Sequence, residues 1–290
     1  MSRWRIDAIV LLIIAIAPAR GADEPAGSVT RDDRQQRLAF MRRTLADFTF
    51  QIDGDPPLPL TLPDAPVLAY TNPVRSREGS GATYFLAREG RPLAAATISI
   101  RPQGKVVREF TLLGDEPIVA RRKGELEWTP RNNGVSFAPL EGANDPVESA
   151  ALRLAQMRRL AQRFRLRVLR ENALEARLLT QPLLRYTNPH ATSRDGAVFA
   201  FVEATDPEVF LLLEVRADEA HPKGRWQFSL ARMTSQPIEV YLDDRRIWAV
   251  PGYYRAPRSR DDSYRESLEG LYSSEGKMIH RSVRLWIVSL

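Results

Sequence analysis

Two stretches of the chain carry a tyrosine followed by Thr-Asn-Pro: Tyr70-Thr71-Asn72-Pro73 and Tyr186-Thr187-Asn188-Pro189. An aromatic ring beside a polar loop can stack on a ligand while a side-chain amide hydrogen-bonds it. Tyr70, Asn72, Tyr186 and Asn188 are therefore candidate ligand-binding residues. Turn chemistry explains the same pattern more plainly, because Asn bonds its own backbone and Pro fixes φ. The pairs Arg42-Arg43 and Arg158-Arg159 also recur. Arg43 and Arg159 could form an anion site across the two stretches. The plainer reading is a solvated helix face whose long stems cover apolar surface.

Catalytic patterns are weak. Asp243-Asp244 is a carboxylate pair of the kind used in acid–base catalysis, but it falls at an expected hairpin tip. Its counterpart earlier in the chain is Lys123-Gly124. Asp206 and Glu208, flanking Pro207, sit at another tip and read the same way. The three histidines (His190, His221, His280) have no ligand spacing, and there is no cysteine. Asp195, Asp206 and Glu208 lie close in sequence but lack EF-hand spacing. Gly79-Ser80-Gly81 lacks the frame of a nucleophile elbow, and neither a P-loop nor a dinucleotide fingerprint is present. No catalytic residue, metal or cofactor is expected.

The elements that would hold these residues read as a tandem duplication. Arg37–Phe48 (RLAFMRRTLADF) slides by 116 positions onto Arg153–Phe164 (RLAQMRRLAQRF) with seven identities in twelve. Tyr70 then falls on Tyr186, and after small register drifts Phe110 matches Phe228 and Trp128 matches Trp248. The expected fold is α+β: each unit has one N-terminal helix followed by an antiparallel meander of about five or six strands. Leu38, Met41, Leu45 and Phe48 form the apolar stripe of the first helix. Leu152, Met157, Leu160 and Phe164 form that of the second, which runs from about Pro146. Hairpins are expected at 82–87 with 93–100, 197–203 with 209–215, 118–121 with 125–128, and 238–242 with 246–250. Strands at 106–112 and 226–232 complete the two meanders, and the matched Trp128 and Trp248 read as core. The first unit spans 23–130, a linker 131–146, the second unit 147–251 and an extension 252–290, whose last strand would be Ser282–Leu290.

Residues 1–22 read as a signal peptide, with Arg3 and Arg5 before the apolar run Ala8–Ala17 and small residues at 17–21. That run is near half a membrane span, and no later stretch is long enough, so the mature chain should have no transmembrane segment. Formal charge is +6, and 38 of the 42 basic residues are arginine. Acidic residues are interleaved almost throughout, and nucleic acid is not an expected partner.

The segments Arg185–Pro189, Asp195–Val202, Thr205–Glu208 and Leu230–Ser235 resemble a family of predicted exported planctomycete proteins. The likeness covers about 37–251. It implies export and a shared architecture, and it implies no site, because that family has no assigned activity. The functional expectation is an extracytoplasmic, non-enzymatic binding or interaction module, its partner an envelope protein or a small ligand. One alternative is a hydrolase of envelope polymers or glycans, with carboxylates assembled by the fold. The other is a structural subunit of an envelope assembly.

Overall fold

Aromatic and β-branched residues fill the runs between Gly, Pro and Asn punctuation, and most of these runs fold as strands. The computed structural model describes residues 31–71, 79–131, 135–187, 193–255, 258–273 and 275–279. The expected signal peptide, Asn72, Asn188 and the expected strand 282–290 lie outside them. Helix α1 (Arg31–Ala46) leads into β1 (Phe48–Ile52), β2 (Leu58–Pro59), β3 (Leu68–Thr71), β4 (Ser80–Arg88) and β5 (Arg91–Ile100). Then come β6 (Lys105–Leu112), β7 (Ile118–Arg122), β8 (Glu125–Trp128) and the short β9 (Ala138–Pro139). Helix α2 (Ala150–Ala161) precedes β10 (Phe164–Val168), β11 (Leu174–Leu178), β12 (Leu184–Thr187), β13 (Ser193–Glu203) and β14 (Asp206–Arg216). The chain continues through β15 (Arg225–Arg232), β16 (Ile238–Leu242), β17 (Arg245–Val250), β18 (Tyr264–Tyr272) and β19 (Met278–Ile279).

The expected α+β tandem of helix plus meander is overturned. Half of the described residues are strand and 14% helical, and among them two α-helices accompany three sheets that form half-barrels. The sheets run β2-β1-β7-β8, β19-β18-β6-β5-β4-β3, and β17-β16-β10-β11-β13-β14-β15-β9, with β12 also on β13. Two long-range pairings defeat a simple meander. β1 pairs β7, Phe48 opposite Arg122, and β10 pairs β16, Phe164 opposite Leu242. Phe48 and Phe164 therefore open strands rather than close helices. The local apolar pattern could not distinguish these states, since one Phe serves either.

Three hairpins fall where their turn residues place them, but the fourth turns at Ala204-Thr205, so Asp206 and Glu208, expected at its tip, lie in β14, with Glu208 buried. Glu89-Gly90, Lys123-Gly124 and Asp243-Asp244 all have positive φ at both positions, the geometry of a two-residue hairpin turn. Ser149 caps α2, its hydroxyl accepting from Leu152 N. Leu152, expected in the core, is 59% exposed, while Met157 is fully buried. Residues 131–146 are more than a linker, because β9 pairs β15 at Phe228 and Gln227.

Each helix covers one face of a sheet. Met41 and Leu45 bury against Tyr84, Ala96 and Phe110, and Met157 joins Phe199, Leu211 and Val240. The opposite faces of β4/β5 and β13/β14 meet one another. Phe85, Ala95 and Leu113 pack with Val198, Phe210, Leu212 and Met233, and Phe85 meets Phe210 edge-on at 5.3 Å. Burial on both faces explains why Leu93–Ile100 and Val209–Val215 are nearly continuous apolar runs.

Candidate functional site

Three polar clusters stand out against this core, together with a cavity of about 620 Å³ and a more open one of about 990 Å³ bordered by Arg170, Pro237 and Tyr254. The first cluster is built across β6 and β18, where Glu109 and Glu266 are directly opposed. Like charges in that position repel. Burial first, and then Glu266, push the Glu109 carboxyl up to about 8. Tyr264 donates to Glu109 at 2.5 Å and also reaches Glu266 at 3.3 Å. Arg101 donates to Glu266 at 3.0 Å and lies 3.7 Å from the other oxygen of Glu109. Tyr254 donates to Glu266 at 2.5 Å. Three of the four carboxyl oxygens thus accept hydrogen bonds and the fourth has Arg101 at ion-pair distance, and neither residue lines the cavities of about 620 and 990 Å³. A dyad needs an acceptor beside a space for substrate, and neither carboxyl lines such a space.

The predicted tyrosines enter such networks rather than a ligand loop. The Tyr70 ring lies over Gly81 and its hydroxyl bonds Asp206. Burial first, then Asp206 and Glu109, raise that hydroxyl well above its usual range. Tyr186 lies over Gly196 in the same way and donates to Glu214 at 2.6 Å. Glu214 is fully buried and also takes Arg91 at 3.2 Å and Arg216 at 3.1 Å. Arg91 and Arg216 carry on to Asp115 and both face the Phe137 ring. Tyr70 therefore bonds across to β14 through Asp206, whereas Tyr186 bonds within its own sheet and the link across is Arg91 on Glu214. The third cluster buries Arg108 against Glu127 and Glu269 over the rings of Phe48 and Phe110.

Arg43 and Arg159 are not brought together. Arg43 borders a 260 Å³ pocket with Thr44, Asp47 and Arg122. Arg159 borders a separate 160 Å³ pocket with Gln156, Arg163 and Trp226. Asp243 and Asp244 pair with Arg163 and Arg165 at the turn. Among the described residues no group of three potential ligands could hold a metal ion, and no helix is long and apolar enough to cross a membrane.

The cavity, about 620 Å³, lies in the seam between the two ends of the nine-stranded sheet. Phe228, Leu230 and Arg232 of β15 line one side, Ile247 to Val250 of β17 the other, and Thr111 and Tyr264 lie across it. On its outer edge β15 is paired only at Gln227 and Phe228, and no described strand pairs Ser229–Arg232 or β17 on the cavity side. Trp226 O accepts from Leu140 N, so Trp226 points its peptide groups outward. The two-residue period does the same for Leu230 and Arg232. Ser229 Oγ is buried without a hydrogen-bond partner.

A second seam, between β6 and β8, is filled. β18 pairs β6 from Tyr264 opposite Thr111 to Leu271 opposite Lys105. Just beyond β8, Thr129 N and Arg131 N donate to Arg260 O and Asp261 O. Trp128 is fully buried and donates to Asp262 O at 2.8 Å, whereas Trp248 borders the open cavity. Sequence reasoning treated these tryptophans as one core pair. The only signal of their difference was the extension after Pro251, which has no counterpart in the first half.

No protein-family model, no characterised protein and no solved structure matches this chain.

Proposed function

We propose that this protein is a non-enzymatic interaction module that takes an extended peptide strand into the seam between β15 and β17. The observation that carries the reading is the pair of strand edges, paired by no described strand, that border one cavity of about 620 Å³. Strand addition satisfies such edges through main-chain hydrogen bonds, and flanking pockets select alternate side chains. The filled seam of the first half is a precedent within the same chain. The sequence matches of Phe110 with Phe228 and Trp128 with Trp248 support comparing the two. The engagement of Glu109 and Glu266 by Tyr264, Tyr254 and Arg101, away from the cavity lining, speaks against this pair as the dyad of the hydrolase alternative. The apolar run Ala8–Ala17 and the likeness to exported planctomycete proteins support a site of action outside the cytoplasm.

The test is binding of tryptophan-free extended peptides with apolar residues at alternate positions, followed by tryptophan fluorescence. Leu230→Pro removes an outward N–H while leaving the ladder to β14 intact, and should weaken binding at least tenfold. Trp248→Phe should remove the fluorescence change and keep the affinity. Binding that ignores Leu230→Pro would place the peptide elsewhere and overturn the reading.

A further inference from the structure

The seam needs an occupant of particular character. One face of an inserted strand would meet Phe228, Trp248 and Val250, which pack on the core of the second half. The other would meet Thr111 and Tyr264 of the first half. A strand covered on both faces must be apolar at successive positions, not only at alternate ones. The chain contains such a segment outside the described residues: Ser282–Leu290, SVRLWIVSL. Leu285 to Val288 are four consecutive apolar residues, and the only charge is Arg284.

Reach decides where that segment comes from. Ile279 pairs with Leu271, at the end of β18 away from Tyr264. The seven residues separating Leu271 from Tyr264 span about 23 Å at the strand rise. The chain's own 280–290 would use about seven of its eleven residues covering that distance. Val283, Leu285 and Trp286 would be left outside the seam. A second copy has no such constraint and can present the whole segment.

Resting on the strand-acceptor reading above, we propose that the seam between β15 and β17 receives residues 282–290 of a second copy, making a strand-exchanged homodimer. Exchange is a low-cost route to dimers when an element that would fill a site within one chain is supplied by another. The new strand joins the β15 edge at Leu230 and Arg232 and the β17 edge opposite. Leu285 and Ile287 lie toward one face, Trp286 and Val288 toward the other.

The native mass of the full chain, measured by light scattering over a concentration series, should correspond to two chains. Leu285→Asp with Ile287→Asp should return it to one chain, and so should Leu230→Pro. Mixing these two variants is the decisive step, because one supplies an intact seam and the other an intact segment. A mixed dimer should form with one exchanged strand, recovering dimer that neither variant makes alone. Failure of the mixture to dimerise would overturn the exchange, as would a full chain that stays monomeric at every concentration. A fluorescein-labelled peptide of residues 282–290, offered to the tail variant, separates the two levels of the argument. Its binding is expected. If it fails while other extended apolar peptides bind, the identity of the occupant falls and the acceptor seam stands. If no peptide binds, both fall.

Discussion

Glu109 and Glu266 face each other across the β6–β18 ladder, and Tyr264 hydrogen-bonds both. This relationship fastens the extension that closes the seam between β6 and β8, and it does so with a carboxyl group that keeps its proton. Arg101, Tyr254 and Tyr264 occupy the oxygens, and Tyr70, Asp206 and Arg232 border the cluster. Arg101 feels burial acting against its charge, but Glu266, joined by Glu109 once that carboxyl ionises, outweighs it and holds the guanidinium protonated more firmly than usual.

A pH dependence follows with a definite sign. The Glu109 carboxyl lies at about 8 in the fold against an ordinary 4.5 when unfolded. The stability linked to its bound proton is fully present below the lower value and is lost as pH rises through the higher. Unfolding free energy should therefore fall between about pH 4.5 and 8, by at most about 1.4 kcal/mol per pH unit. Glu109→Gln, which needs no proton, should flatten that slope and be more stable relative to wild type at pH 8.5 than at pH 5. Urea denaturation at the two values measures it. Equal slopes in both proteins would contradict the assignment.

The second prediction concerns the tyrosine–glycine contacts. A Cβ on Gly196 would stand 2.5 Å from Tyr186 Cζ, with Gly81 similarly crowded by Tyr70. Both sites are in strands packed on two faces, so neither ring has room to retreat. Gly196→Ala should cost about 1–3 kcal/mol by overpacking, and Tyr186→Phe in the same chain should not relieve it, since the ring remains. Thermal denaturation of the single and double variants is the check.

Much of this arrangement was legible in the sequence, for local reasons. Glu89-Gly90 and Lys123-Gly124 announce their hairpins because only certain residues tolerate positive φ there. The runs Leu93–Ile100 and Val209–Val215 announce buried strands. Long-range pairing was not legible. Phe48 and Phe164 continue the helical spacing of Met41 and Met157, and only their pairing to Arg122 and Leu242 makes them strand residues. Tyr70 and Tyr186 were found by their repetition, but their partners Asp206 and Glu214 lie 136 and 28 residues away. Asp206 read as a turn residue because spacing along the chain says nothing of what a sheet packs against it. The seam was invisible for the same reason: it is defined by strand edges that no described strand pairs.

The third prediction tests the buried cluster of Glu214. Its carboxylate is fully buried and shared by Tyr186, Arg91 and Arg216. Glu214→Ala removes the anion and leaves two guanidiniums facing each other, with Asp115 and Glu116 at the surface end. Breaking a buried pair from one side costs about 3–5 kcal/mol. Glu214→Gln keeps the shape and some hydrogen bonds, and should cost less. Chemical denaturation orders the three proteins as wild type, Gln, Ala. A neutral Glu214→Ala would mean that the arginines find water in its place.

The last prediction separates the extension from the rest of the fold. Glu269 is clasped by Arg108 at 2.7 Å and Arg122 at 2.6 Å, which joins β18 to β6 and β7. Arg108 is buried and its Nη1 has no hydrogen-bond partner, so it depends on Glu269 and Glu127 for compensation. Glu269→Ala leaves that charge under-compensated beside the Phe48 and Phe110 rings. The strand least able to absorb the loss is β18, held otherwise by β6 and the two residues of β19. Amide hydrogen exchange should accelerate at least tenfold across 264–272 while β13 and β14 keep their protection, because those strands belong to the other half. A uniform loss of protection in both halves would instead show that the extension is part of one cooperative fold and not a separable plug.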